Sequence, residues 1–307
     1  MKIIYFGTPD FAVKPLEKLI ENFEVVAVVT QPDRPVGRSN KPTPCAVKQC
    51  ARAHGIPVLQ YEKIRLEGVE DLKNLNADMM VSCAYGQIFS KEILDITPLG
   101  MYNIHGSILP KYRGSAPIQW SIINGEEYSG ITILKTDVGM DDGDILLTKP
   151  VKIEENETSG ELFDRLSVVG ADAIVEAVNL LETGNYTLTP QNHDEATICK
   201  MLKPEMSILD FSKPAQEIVN MIHGINPWPV AKVEIAGNVF KVFKAKVRKD
   251  YSGSIGEVLV SSNKQGLIVG CGDYAIEFEE IQPNNGKRMT AKSYLNGKTI
   301  PLGEIVK

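Results

Sequence analysis

No stretch of the sequence holds the roughly 18 consecutive apolar residues that a membrane span requires. The densest apolar run, residues 25–29 of the 307, is only a short strand's worth. Cysteine is sparse, and Cys45, Cys50, Cys83, Cys199 and Cys271 include no CxxC pair and no metal-ligand spacing to a histidine. Free thiols in a reducing compartment are therefore expected, with neither a disulfide framework nor a bound metal. The fingerprints GxGxxG, GxxxxGK[ST] and GxSxG are all missing, which argues against a dinucleotide site, a P-loop and a serine nucleophile elbow. The N-terminal apolar stretch carries one lysine and is cut at Gly7-Thr8-Pro9-Asp10. No secretory signal is expected there, and the chain is read as cytoplasmic.

What is present describes a globular protein. Hydrophobic residues make up 43% and charged residues 23%, enough apolar side chains for a sizeable core, and the length suggests two domains. The net charge of −6 speaks at first against a nucleic-acid partner. Its distribution changes that reading. Residues 207–307 hold 13 basic and 10 acidic side chains, a balance of +3, which leaves −9 for residues 1–206. Lys241, Lys244, Lys246, Arg248 and Lys249 crowd one segment, and Lys244, Lys246 and Arg248 alternate along it. One face of that strand is expected to be cationic. It is either a solvated edge guarded by lysine or a surface for a phosphate backbone.

Strand and helix signals alternate through the first half. Apolar strand-like runs at 2–6, 24–30, 57–60, 78–84, 100–105 and 130–137 are separated by helical spacing at 44–54, 66–75 and 113–125. Thr158-Ser159-Gly160-Glu161 reads as a capping box ahead of a long helix. This pattern predicts an α/β fold, a Rossmann-like, mostly parallel sheet with helices on both faces, whose sites lie at the carboxyl ends of strands. Five short segments from 230 to 282, separated by turn residues, predict a small C-terminal antiparallel β-barrel, OB-like. The expected domains are 1–184 and 207–307, with a linker at 185–206.

Chemistry concentrates in Asn103-Ile104-His105-Gly106-Ser107-Ile108-Leu109-Pro110. Strand alternation puts Asn103 and His105 on one face, and Gly106 and Pro110 end the strand. An amide donor and an imidazole can together stabilise an oxyanion and carry a proton. Alone, such a pair reads first as a buried hydrogen-bonded pair. Asp137-Val138-Gly139-Met140-Asp141-Asp142-Gly143-Asp144 follows another strand and could supply a carboxylate to orient His105; a turn or a calcium loop is the other reading, though the spacing is not that of an EF-hand. Asn, His and Asp meeting from adjacent strand ends would suit acyl transfer to an amine.

Several segments carry a specific resemblance over nearly the whole chain. They are Phe6-Gly-Thr-Pro-Asp-Phe-Ala12, Gln31-Pro-Asp-Arg-Pro-Val-Gly-Arg38, Ala84-Tyr-Gly-Gln87, the Asn103 to Pro110 segment, Arg113-Gly-Ser-Ala-Pro-Ile-Gln119, the Asp137 to Asp144 loop and Asn226-Pro-Trp-Pro229. The sequence resembles the 10-formyltetrahydrofolate-dependent formyltransferases, and within them the branch acting on methionyl-tRNA. The resemblance implies formyl transfer from 10-formyltetrahydrofolate, as co-substrate, to the α-amine of methionyl initiator tRNA, with no metal and by a monomer. It implies that Asn103 and His105 stabilise the oxyanion and that Asp141 orients His105. Ser107, Ile108, Leu109 and Pro110 would bind the folate, with Ala84, Tyr85, Gly86, Gln87, Ile88 and Val138 lining the pteridine pocket. Gly7, Thr8 and Pro9 would face the methionyl end, Arg38 and Lys41 the acceptor stem, and Lys244, Lys246 and Arg248 the tRNA backbone. Asp142 stands where the family commonly has threonine, which adds a negative charge beside Asp141. A formyltransferase acting on an amino-sugar nucleotide is the alternative enzyme, since it could keep Asn103, His105 and Asp141 beside a different second domain. A folate- or tRNA-binding module without turnover is the alternative outside enzymes.

Overall fold

The computed structural model describes residues 1–35 and 41–307. They form two compact units, one of Met1–Gly114, Ser129–Val151 and Phe163–Ile198, the other of Ser115–Tyr128, Lys152–Leu162 and Cys199–Lys307. The first is built on strands β1 (Lys2–Gly7), β2 (Glu24–Thr30), β3 (Val58–Gln60), β4 (Met79–Cys83), β5 (Met101–His105), β6 (Tyr128–Lys135) and β7 (Ile145–Lys152). Their order is β7-β6-β5-β4-β1-β2-β3. β1 to β5 run parallel, and their apolar runs are buried as strands covered on both faces must be. The chain winds outward from β1 through β2 and β3, then returns to the other side of β1 for β4 and β5. Such a reversal in strand order, here between β1 and β4, is where open α/β sheets place their sites, at the strands' carboxyl ends.

β6 departs from the parallel pattern and pairs antiparallel with β5, Tyr102 opposite Lys135 and His105 opposite Thr132. β7 carries Lys149 and Pro150 within an only half-buried run, so neither alternation nor a continuous apolar stretch marks it in the sequence. The helix Ser159–Thr183 supplies Gly170 at its contact with the sheet, where an added Cβ would stand 3.1 Å from Ile104. Asn103 and His105 thus face away from that helix, because strand side chains alternate. The stretch expected as linker is partly tied into this unit. Thr189 exchanges both backbone hydrogen bonds with Ile145, and Gln191 is buried.

The second unit holds the helix Ala215–Gly224 and strands β8 (Ala231–Ile235), β9 (Asn238–Arg248), β10 (Val258–Ser262), β11 (Gly266–Gly270) and β12 (Ala275–Pro283). Their order is β8-β9-β12-β11-β10, with antiparallel neighbours. Ala236 and Gly237, both at positive φ, make the two-residue turn from β8 to β9, so Asn238 already belongs to the strand. Residues 303–307 complete the barrel. Lys307 exchanges two backbone bonds with Glu234 of β8, while Val306 and Glu304 bond to Gly256 and Val258 beside β10. The tail thereby links the first and last strands and removes two open edges. Ile218, Ile222, Val233, Phe240, Val242, Val269 and Phe278 fill the interior. The capping box forms as expected: the Thr158 amide donates to Glu161 Oε2 at 2.8 Å, and the Glu161 amide returns to Thr158 Oγ1 at 3.4 Å.

Candidate active site

Asn103 and His105 stand two residues apart on β5, and Asp141 reaches both. The Ser82 hydroxyl on neighbouring β4 donates to Asn103 Oδ1 at 3.0 Å, which fixes the amide and turns its nitrogen toward Asp141 Oδ1, 3.5 Å away. His105 is buried, and its Nε2 lies 2.9 Å from the Tyr112 carbonyl oxygen. A carbonyl only accepts, so the hydrogen of a neutral ring sits on Nε2. Its Nδ1 then turns a lone pair toward Asp141 Oδ2, 3.6 Å away. A further proton on the ring makes Nδ1 a donor and converts this contact into an ion pair. The pair is therefore arranged to take up and release one proton.

Asp141 does not come from a strand end beside that of β5, as a parallel arrangement would provide. Because β6 is antiparallel, its loop leaves beside Met101, whose carbonyl accepts from the Thr136 amide, and folds back along β5. The fold-back needs unusual backbone. Asp141 has φ of 50°, and a Cβ on Gly143 would lie 1.8 Å from the Lys135 carbonyl oxygen, so only glycine fits there. The Gly114 amide donates to Asp141 Oδ2 at 2.8 Å. Buried Gln191 donates from Nε2 to the carbonyls of Asp141 and Gly143, at 2.8 Å each. Its Oε1 accepts from buried Arg113, 3.1 Å from Nε and 2.7 Å from Nη2. Ser82 and Gln191 are not singled out by the sequence reading, and Gly114 lies in the Arg113 to Gln119 segment without an assigned role. Ser82 leaves a signal as a lone hydroxyl inside an apolar strand.

The other expected site residues divide into exposed and internally engaged groups. Ser107 is buried, and its hydroxyl donates to the Lys111 carbonyl at 2.7 Å. Leu109 is buried, whereas Ile108 and Pro110 are half-buried. Tyr85 turns its ring into the core, stacked on Phe89 and edge-on to Phe6, while its carbonyl accepts from Thr8 Oγ1 and Gln31 Nε2, both at 3.1 Å. Gln87 is bonded inward to Ile64, Tyr61 and Gln31. The loops after β1, β2 and β4 are thus tied together. Ala84, Gly86, Pro9, Ile88 and Val138 remain exposed, the last two at 75% and 62%; Gly7 is buried and Lys41 exposed. Arg38 lies outside the described residues. Cys83 is no nucleophile: burial pushes its thiol up to about 12.

Two family models match the chain. The formyl transferase model covers residues 1–178, and the formyl transferase C-terminal domain model covers residues 201–299. The methionyl-tRNA formyltransferase of Clostridioides difficile is 44% identical over 308 residues, covering 100% of both chains. That of Geobacter metallireducens is 44% identical, covering 99% of this chain and 97% of its own. The chain belongs to the methionyl-tRNA formyltransferase family. The formyltransferase fold extends to more distant structures. An N-formyltransferase from Helicobacter canadensis, complexed with folinic acid and dTDP-3-aminofucose, aligns with a TM-score of 0.69 at 21% identity over 91% of this chain and 98% of its own. HypX from Aquifex aeolicus, in complex with tetrahydrofolic acid, aligns with a TM-score of 0.63 at 16% identity, covering 96% of this chain and 47% of its own.

In the second unit of this formyltransferase, the strand expected to be cationic is laced with carboxylates. Lys244 lies 2.7 Å from Glu161 of the capping box. Desolvation opposes ionisation there, but the bonds from Lys244 and Thr158 prevail and hold the Glu161 carboxyl down at about 2. Lys246 pairs with Glu279 at 2.9 Å and Glu277 at 3.3 Å, and Arg248 with Asp250 and Glu277 at 2.7 Å each. β12 runs beside β9 and sets Glu277 directly opposite Lys246. The sequence spacing gives the alternation but not this neighbour. Lys241 and Lys249 are exposed and make no ion pair among the described residues.

Proposed function

We propose that the chain transfers the formyl group of 10-formyltetrahydrofolate to the α-amine of methionyl initiator tRNA. The observation that carries this reading is Asp141 held between Asn103 and His105 on one face of β5, in a chain whose full-length relatives are methionyl-tRNA formyltransferases. The co-substrate supplies the formyl carbonyl. Asn103, through its amide nitrogen, and His105, through Nδ1 in the protonated ring, donate to the carbonyl oxygen as it gains negative charge. Asp141 orients His105 and receives the proton that the attacking amine must lose, directly or through water; that proton passes to the folate nitrogen as its bond to the formyl carbon breaks and tetrahydrofolate leaves. A planar, amphipathic folate fits the residues present, since Ile88 and Val138 leave large apolar side chains uncovered on their loops. Ala84, Gly86 and the 107–110 turn offer backbone groups to its polar edge, with the inward-turned Tyr85 and Gln87 supporting their loop. Gly7, Thr8 and Pro9 face the methionyl end.

Residues 1–184 then form the catalytic domain and 207–307 the tRNA-binding domain, joined by 185–206, in a monomeric, metal-free cytoplasmic enzyme. Arg38 and Lys41 serve the acceptor end. Lys244, Lys246 and Arg248 contribute to backbone binding only against competition from Glu161, Glu277, Glu279 and Asp250. Lys241 and Lys249 are the less encumbered contacts. The test offers 10-formyltetrahydrofolate with methionyl initiator tRNA or with an amino-sugar nucleotide and measures the formylated product. Formyl-methionyl-tRNA is expected. A reaction with the sugar alone would overturn the proposal.

A further inference from the structure

Asp141 sits in a backbone conformation that L-residues avoid, at φ of 50°, on a loop that leaves β6 at the wrong edge for β5. Such a conformation is strained and persists only where surrounding bonds over-determine it. The near end of the loop is fixed at Lys135, whose amide donates to the Asp144 carbonyl at 2.8 Å. The backbone around Asp141 itself is held by the Gln191 side chain. Gln191 Nε2 spends both hydrogens on the carbonyls of Asp141 and Gly143, at 2.8 Å each. The glutamine cannot rotate its amide to avoid that duty, because Oε1 is gripped by the Arg113 guanidinium through Nε and Nη2. Both residues are buried, Gln191 at 7% exposure and Arg113 at 8%. Arg113 also bears on the imidazole, since the preceding residue, Tyr112, supplies the carbonyl that engages His105 Nε2.

We propose that Gln191 is a positioning residue for formyl transfer: locked by Arg113, it holds the Asp141 backbone so that the carboxylate meets Asn103 and His105. The amide is chemically required. Its two donors serve two carbonyls and its acceptor serves a cation, a division that neither a carboxylate nor an apolar side chain reproduces. The role rests on the formyltransferase reading above, but the loop geometry it invokes can be measured without turnover.

The discriminating variant is Gln191→Glu. It keeps an acceptor, and a charged one, for Arg113 while directing oxygens without hydrogens at the carbonyls of Asp141 and Gly143. Gln191→Ala removes both sets of bonds. Each variant is assayed with 10-formyltetrahydrofolate and methionyl-tRNA, and amide hydrogen exchange is followed over residues 137–144. We expect kcat to fall roughly tenfold to a hundredfold in both variants, with KM for either substrate changed less than about twofold. Exchange in the loop should rise while β4 and β5 stay protected. If Gln191 merely anchors Arg113, Gln191→Glu would keep wild-type kcat and loop protection, which overturns the proposal. A loss of kcat with an unaltered loop overturns it as well. Absence of formylation in the wild-type protein would remove the functional reading instead, and the exchange measurement would still decide whether Gln191 holds the loop.

Discussion

At the scale of single residues, the site depends on which atom of each side chain is left available. Ser82 occupies the oxygen of Asn103 and leaves its nitrogen, while Tyr112 occupies Nε2 of His105 and leaves Nδ1. Gly114 holds Asp141 Oδ2 by one backbone bond, which a carboxylate and a carboxamide oxygen can both accept. His105→Ala and Asp141→Asn should therefore fold normally but lower kcat by roughly 10²–10⁴. Affinity for methionyl-tRNA should change little, and steady-state kinetics with a direct tRNA-binding measurement on each variant would check both statements. Full turnover in both variants would show that the proton travels by another route.

Elements set environments that no single residue carries. The helix Ala215–Gly224 and strand β9 enclose His223, whose Nε2 accepts from the Ala245 amide at 3.3 Å. Burial, with the Lys244 ammonium nearby, lowers its imidazole to about 4, against the opposing pull of Glu279 and Glu161. The unfolded chain takes a proton near pH 6.5 and the folded one only near 4. Between those values the unfolded state binds more protons, so stability falls as pH falls through that window and is fully present above it. The contribution amounts to about 3 kcal/mol at most. Urea unfolding at stepped pH should show this slope, and His223→Gln, which keeps an acceptor for Ala245, should flatten it. The lysines beside it illustrate how an element overrides a pattern. Lys246 was legible as one of an alternating set, but Glu277 reaches it from another strand.

For the whole molecule, the net charge of −6 is the sum of −9 over residues 1–206 and +3 over residues 207–307. So small a surplus predicts modest, salt-sensitive attraction for a polyanion. Replacing Lys241 and Lys249 with glutamine should weaken tRNA binding and flatten its dependence on salt. Replacing Lys244, Lys246 and Arg248 together should also lower the melting temperature, because Glu277, with its side chain 4% exposed, would lose Lys246 and Arg248. Binding titrations over a salt series, with thermal unfolding of the same variants, separate the two sets. Equal salt slopes in all variants would assign the attraction elsewhere.

The sequence by itself determined the periodic elements, the capping box, the two fold types and the segments that hold Asn103, His105 and Asp141. These follow from local steric preference and from side-chain alternation, which act over a few residues. Tertiary structure decided what those rules cannot reach. The antiparallel direction of β6 sends the Asp141 loop back across β5, and Gln191 holds it there from 50 positions further along the chain. Carboxylates from distant segments quench an apparently cationic strand, and residues 303–307 close the barrel by pairing with β8 and beside β10. Each is a contact between residues far apart in sequence, whose partners become neighbours only when burial of the core brings the strands together.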